Sequence, residues 1–293
     1  MKVADFNVIR PIPRLKRPHA LVMLQPWVDV GSVGTLILAW LEAHFHAKEL
    51  ASLETPGEFF DFTRYRPTSY YHGFQRQLSI PNSFVTYGKQ KTGNDFIFLH
   101  LLEPHSHSEA YVDSIISLLE KFNVRRYCLL GSMYDLVPHT RPLSITGGAA
   151  EEKTRLELQK YGVNSSNYQG PTTVLSLVPQ RLQEAGVETM SLIVHLPQYT
   201  QLDDNYIGAS RLMEVLSSIY NVPVDNTYFE KTRQQMAQIN EALEKNPQLK
   251  SVVNQLETHY EARSRKKEEE QSPRLSPEVE KFLSEMDKRF RES

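Results

Sequence analysis

Ala20-Leu21-Val22-Met23-Leu24-Gln25-Pro26-Trp27-Val28-Asp29-Val30-Gly31-Ser32-Val33-Gly34-Thr35 is the stretch that decides the fold. Its first five residues are apolar and are bounded by Pro18 and by Gln25-Pro26, which predicts a short buried strand. A turn containing Gly31 and Gly34 follows. Residues 35–45 then stay apolar nearly all round, as a helix packed on a sheet requires. A buried strand feeding a helix of this length is half of a βαβ unit.

The same alternation continues on the C-terminal side. Residues 75–80 and 84–88 flank Pro81-Asn82 and predict a strand pair around a turn, and 96–102 is a third strong strand run. Residues 108–122 carry Ile115, Leu118, Leu119 and Phe122 at helical spacing, with Ser108 as expected N-cap. A strand at 125–130, ended by Gly131, precedes helices at 149–161 and 172–185, which Gly162 and Gly186 close. A strand at 188–196 and a helix at 205–220 complete the pattern. The expected class is α/β, a three-layer α/β/α domain over residues 1–222 with a mainly parallel mixed sheet. After Pro223, Gly-free helical patterns at 225–244 and 247–263 predict a helical appendix over 223–263, packed on the core or on another subunit. Residues 264–293 read as a charged linker and a short terminal helix striped by Phe282, Met286 and Phe290.

Composition narrows the function classes. The 293 residues hold 33 Lys+Arg against 35 Asp+Glu, a net charge near −2 that offers no global field for nucleic acid or an anionic membrane. The longest apolar run, residues 36–41, falls far short of the ~20 residues that span a bilayer. The first residues carry no signal pattern, so the expected location is cytoplasmic. The one cysteine, Cys128, excludes an internal disulfide and any multi-cysteine zinc site, and its apolar neighbours predict an inert buried thiol. His44-x-His46 and His105-x-His107 lack the constellation a zinc site needs, so no metal is expected. No cofactor motif is present either.

Four loops could carry chemistry. In the first, Gly31 and Gly34 would let a ligand approach the backbone, Asp29 could bind a hydroxyl or cation, and Trp27 would pack nearby; the plain alternative is a tight strand-to-helix turn. In Val137-Pro138-His139-Thr140-Arg141-Pro142, Arg141 could grip a carboxylate or phosphate and His139 could move a proton, or Arg141 could simply pair with an acidic neighbour. Tyr168-Gln169-Gly170-Pro171-Thr172 opens a helix, with Gly170 in the turn and Thr172 available as cap. His195 and Tyr199 end a strand; there a hydrogen-bonded structural histidine competes with a cleft role. In a parallel sheet all four should gather at the carboxyl edge, either as one anion-binding cleft or with Asp29 and Arg141 paired as a lock.

Seven motifs recur in order: Pro26-Trp27-Val28-Asp29-Val30-Gly31, Phe60-Asp61-Phe62 through Arg66-Pro67, Ile80-Pro81-Asn82, Glu103-Pro104-His105, Val137–Pro142, Tyr168–Thr172 and His195-Leu196-Pro197-Gln198-Tyr199. In these the chain resembles the prokaryotic branch of the proteasome assembly chaperone 2 family, over about residues 6–262. The resemblance implies an α/β/α domain related to phosphorylase and peptidyl-hydrolase folds, with an added helical region. It also implies oligomers and no catalytic residue set. The ligase label attached to part of the family would need acidic magnesium ligands and a nucleotide pocket, which the sequence does not supply. Proteasome-docking relatives end in a hydrophobic residue, Tyr and any residue, whereas this sequence ends Arg291-Glu292-Ser293, so docking through the tail is not expected. The resulting expectation is a non-catalytic binding or assembly protein, a homo-oligomeric scaffold or chaperone with a protein partner. The alternative is an enzyme acting on a small anionic metabolite.

Overall fold

The computed structural model describes residues 1–166, 168–223 and 226–271. Contacts divide the chain into a unit over residues 1–245 and a second over 246–293. The strands of the first unit are β1 (Lys2–Val3), β2 (Phe6–Val8), β3 (His19–Gln25), β4 (Lys48–Leu53), β5 (Thr68–His72), β6 (Gln75–Ser79), β7 (Phe84–Gly88), β8 (Phe96–Leu102), β9 (Arg126–Asp135), β10 (Ile145–Ala149), β11 (Val163–Ser165) and β12 (Glu188–Pro197). Its helices are α1 (Val33–His44), α2 (Ser108–Lys121), α3 (Glu152–Lys160), α4 (Val174–Glu184), α5 (Tyr206–Tyr220) and α6 (Asn226–Lys245); α7 (Pro247–Gln271) forms the described part of the second. The expected final helix with Phe282, Met286 and Phe290 lies outside the described residues.

Ten strands make one mixed sheet in the order β1-β2-β4-β7-β8-β3-β9-β12-β10-β11. The central β8, β3, β9 and β12 are mutually parallel, and the flanks are largely antiparallel. Alternation of side chains along the central strands sends residues to two separate cores. On one face Leu21, Met23, Cys128 and Leu130 pack with Ile37 and Leu41 of α1 and with Leu212 and Leu216 of α5. On the other, Val22, Leu24, Tyr127 and Leu129 pack with Ile115 and Leu119 of α2 and with Val178 and Leu182 of α4. This is the expected three-layer α/β/α architecture. Because both faces are covered, the strands read as continuous apolar runs.

Three local expectations need correction. Ser108 is the first residue of α2, and His107 stands at its N-cap. β6 and β7 do not pair with each other. β6 pairs with β5 in a separate two-stranded hairpin turned by Gly73-Phe74, with Gly73 at φ +60°, while β7 joins the main sheet between β4 and β8. Nor does Gly131 end its strand: β9 runs on to Asp135. Gly131 is instead where the 26–30 loop lies against β9, and a Cβ there would collide with the Val28 carbonyl oxygen. The Ser132 N–H donates to that same oxygen at 2.8 Å.

Candidate functional site

The carboxyl ends of β3, β9 and β12 present the sequence motifs, but in separate groups. After β3, Asp29 is buried at the start of α1. Its carboxylate accepts from the Gly34 N–H at 2.7 Å, the Thr35 N–H at 3.3 Å, the Thr35 hydroxyl at 2.6 Å and the Gln25 amide at 3.4 Å. It therefore caps α1 from three residues ahead of the N-cap, where Ser32 sends its hydroxyl to the Asp203 carbonyl instead. Burial raises the Asp29 pKa above the ordinary carboxylate value, and the hydrogen bonds from Thr35, Gly34 and Gln25 only partly oppose it. Gly31 sits at φ +61° and touches Asn205, whose N–H donates to the Gly31 carbonyl at 2.8 Å. Gly34 is wedged against Asp29 and Met23.

The 137–142 loop meets the end of β12 through a second group. The Tyr199 hydroxyl accepts the His139 backbone N–H at 2.8 Å and donates to His139 Nδ1 at 2.5 Å. His139 Nε2 then donates to Asn240 of α6 at 3.1 Å, which ties the loop, the β12 terminus and α6 together. Arg141 donates to its neighbour's Thr140 carbonyl at 3.3 Å. All four Asp29 partners lie between Gln25 and Thr35, so the lock between Asp29 and Arg141 is not how this edge is closed.

The third group is the hydrogen-bonded histidine expected at 195, with partners the sequence did not show. His195, buried near the end of β12, has Asp135 Oδ2 2.7 Å from Nδ1 and Thr146 Oγ1 2.8 Å from Nε2. In the tautomer that carries its proton on Nδ1, His195 donates to Asp135 and accepts from the Thr146 hydroxyl on Nε2. Thr146 in turn lines a cavity of about 750 Å3, floored by β9, β12 and β10 and walled by α4, Trp27, Ser166, Tyr168, Pro171 and Thr172. Of the ten sequence candidates only Trp27 and Thr172 reach this cavity. Gly170 sits exposed in its rim loop, where the Tyr168 hydroxyl donates to the Pro171 carbonyl at 3.0 Å. Thr173, not Thr172, caps α4, accepting from the Leu175 N–H at 3.2 Å. Among the described residues no group of three or more His, Cys, Asp or Glu is arranged to hold a metal, and no helix is long and apolar enough to cross a membrane.

A family model for the PAC2 family matches residues 23–246, well over half of the chain. The chain belongs to the PAC2 family. The match bears out the resemblance read from the ordered motifs, over a somewhat shorter span. No curated protein matches the chain. Among solved structures, the unknown function protein Rv2714 of Mycobacterium tuberculosis superposes with a TM-score of 0.79 at 25% identity, covering 92% of this chain and 93% of that one. The proteasome-assembly chaperone homologue Rv2125 of the same organism gives a TM-score of 0.71 at 20% identity over 80% and 99% of the two chains. PbaB of Pyrococcus furiosus, described as an archaeal proteasome activator, gives 0.63 at 13% identity over 82% and 99%. The last two share this chain's fold.

The surface feature that sequence reading passed over is the β5–β6 hairpin. Every residue of both strands is exposed. Tyr71 is 72%, Phe74 105% and Leu78 61% accessible, and Ile80 beside them is exposed too. The available signal was a Gly-led two-residue turn between aromatic and polar runs.

Proposed function

We propose that this PAC2 chain is a non-catalytic binding protein of the assembly-chaperone kind, working in the cytoplasm as a homo-oligomeric scaffold. The β5–β6 hairpin carries the reading. An isolated two-stranded hairpin is marginal in water, and one that holds two tyrosines, a phenylalanine and a leucine in solvent needs a partner surface. From Arg64 to Asn94 the chain has three arginines and two lysines and no acidic residue, while the whole chain is net negative. A second copy, net negative, offers charge of the opposite sign, and the exposed hairpin region at 64–80 would dock on it or on an acidic protein client. Neighbours described as an assembly-chaperone homologue and a proteasome activator favour the same role.

The rival reading, catalysis on a small anionic metabolite, has less support. The natural anion site is the N-terminus of α1, and there Asp29 already occupies the Gly34 and Thr35 amides, so an incoming anion meets a carboxylate. Sedimentation velocity on wild type and on a Tyr71→Ser, Phe74→Ser, Leu78→Ser variant tests the proposal. Wild type should run well above its 33.8 kDa chain mass and the variant at it. Wild type running only as the 33.8 kDa species at micromolar concentration would overturn the scaffold reading.

A further inference from the structure

The cavity beside Thr146 is separate from the hairpin and has a chemistry of its own. Its volume of about 750 Å3 falls in the roughly 300–1,000 Å3 range of small-molecule sites. Leu129, Met133, Met190, Ile193 and Leu175 are among its apolar lining, which Trp27 joins. Among the described residues that line it there is no Asp, Glu, Lys, Arg or His. An ion seated against this lining would find no opposite charge in it, so the lining favours uncharged over charged ligands.

The polar groups of the wall narrow the choice further. The Ser132 hydroxyl donates to the Val30 carbonyl, Ser191 accepts from the Gly148 N–H at 3.1 Å, and Thr189 accepts from the Gln183 amide at 2.7 Å. Each of these hydroxyls has one partner within the protein; Ser191 and Thr189 accept, so their protons stay available to a ligand, and Ser132 donates. Thr146 is the one of these cavity hydroxyls that meets a histidine ring nitrogen. In the neutral tautomer with its proton on Nδ1 toward Asp135, His195 accepts the Thr146 proton on Nε2. What remains on Thr146 Oγ1 is acceptor capacity, polarised by a relay that ends in a carboxylate. His195 and Asp135 are thus positioning residues: they fix the direction of the Thr146 hydroxyl without being part of the cavity wall.

We propose that this cavity binds an uncharged, mostly aliphatic small molecule bearing one hydrogen-bond donor, an alcohol or primary amide head, which Thr146 Oγ1 accepts. The apolar wall takes the chain and the relay takes the head. The site is independent of the hairpin, and neither depends on the other being occupied.

The test uses the full chain carrying Trp40→Phe, which leaves Trp27 at the cavity as the only tryptophan reporter. Its fluorescence is titrated with 1-octanol, octanoate, octylamine and 1-methoxyoctane at neutral pH. Octanol should bind saturably, and octanoate and octylammonium at least about tenfold more weakly. Thr146→Val should weaken octanol about three- to tenfold and leave the methyl ether unchanged, since only the alcohol has a donor to lose. His195→Gln serves the same purpose if Thr146→Val fails to fold. Ile193→Phe, which fills the cavity, should abolish octanol binding while leaving the sedimentation coefficient as it was. The proposal is overturned if octanol does not saturate, or if the charged octyl compounds bind as well as the alcohol. It is also overturned if Thr146→Val weakens alcohol and ether alike, or if Ile193→Phe breaks self-association without affecting octanol. Failure of the hairpin variant to change oligomeric state would leave each of these outcomes readable.

Discussion

Replacing Asp29 by alanine should destabilise the protein by about 2–3 kcal/mol. One capping carboxylate is worth roughly 0.5–2 kcal/mol, and leaving buried donors unpaired adds about 1 kcal/mol or more. The Gly34 N–H loses a 2.7 Å bond in a buried setting, and the Thr35 hydroxyl loses one at 2.6 Å. Urea denaturation followed by far-UV circular dichroism measures the loss. The same substitution empties the end of α1, so sulfate should stabilise the alanine variant more than wild type. Asn in place of Asp should cost less, since it keeps an acceptor and no longer buries a charge. Its pH dependence has a defined sign. Burial raises the folded-state pKa of Asp29 above its unfolded value, so the protonated form is the better fit. Wild type should gain on Asp29→Asn as pH falls through the folded Asp29 pKa toward the unfolded value, and lose that advantage as pH rises. An alanine variant within about 0.5 kcal/mol of wild type would refute the capping argument, given that surface substitutions usually fall in that range. Equal stabilisation of both proteins by sulfate would refute it too.

Cys128 should be inert to aromatic disulfide reagents in the native state, because complete burial pushes its thiol up to about 12; its labelling rate should follow global unfolding. Glu188 is held below its ordinary pKa: burial pushes it up, but hydrogen bonds from Arg126 and Thr154 outweigh that. Glu188→Gln should cost about 1–3 kcal/mol at neutral pH, and the gap to wild type should close as pH falls through the folded Glu188 pKa. Gly131→Ala should cost about 1–3 kcal/mol in denaturant melts, because the obstacle is the rigid Val28 backbone and not a side chain that can turn away.

Much of the fold was legible because both faces of the central sheet are covered. Runs such as Leu21 to Leu24 and Ile97 to Leu101 are apolar without interruption, and the helices between them carry their own spacing. Pairing was less legible than existence. Nothing in Gln75–Ser79 says whether it joins the strand before it or the strand after it, and that choice was settled by the Gly73 turn. β10 was missed because Ile145-Thr146-Gly147-Gly148-Ala149 looks like a loop. Gly147 stands there because the Ser191 carbonyl of β12 leaves no room for a Cβ. The candidate residues were gathered at the correct end of the sheet, yet their contacts divide them. Asp29 spends its carboxylate on its own helix, and His139 pairs with Tyr199 and Asn240. His195 was singled out as a hydrogen-bonded histidine, and that it is. Its partners Asp135 and Thr146 lie 60 and 49 residues away in sequence, a distance no motif spans.

The central claim is that the exposed hairpin is an assembly surface covered by another copy of the chain. Amide hydrogen exchange of residues 68–79, followed at high and at low protein concentration, tests it most directly. Backbone groups of a solvent-facing hairpin exchange quickly, whereas those of a docked one are slowed by the stability of the contact. The account predicts protection of these amides that grows with protein concentration while the protection of β3 and β9 stays constant. Rapid, concentration-independent exchange across residues 68–79 would contradict it.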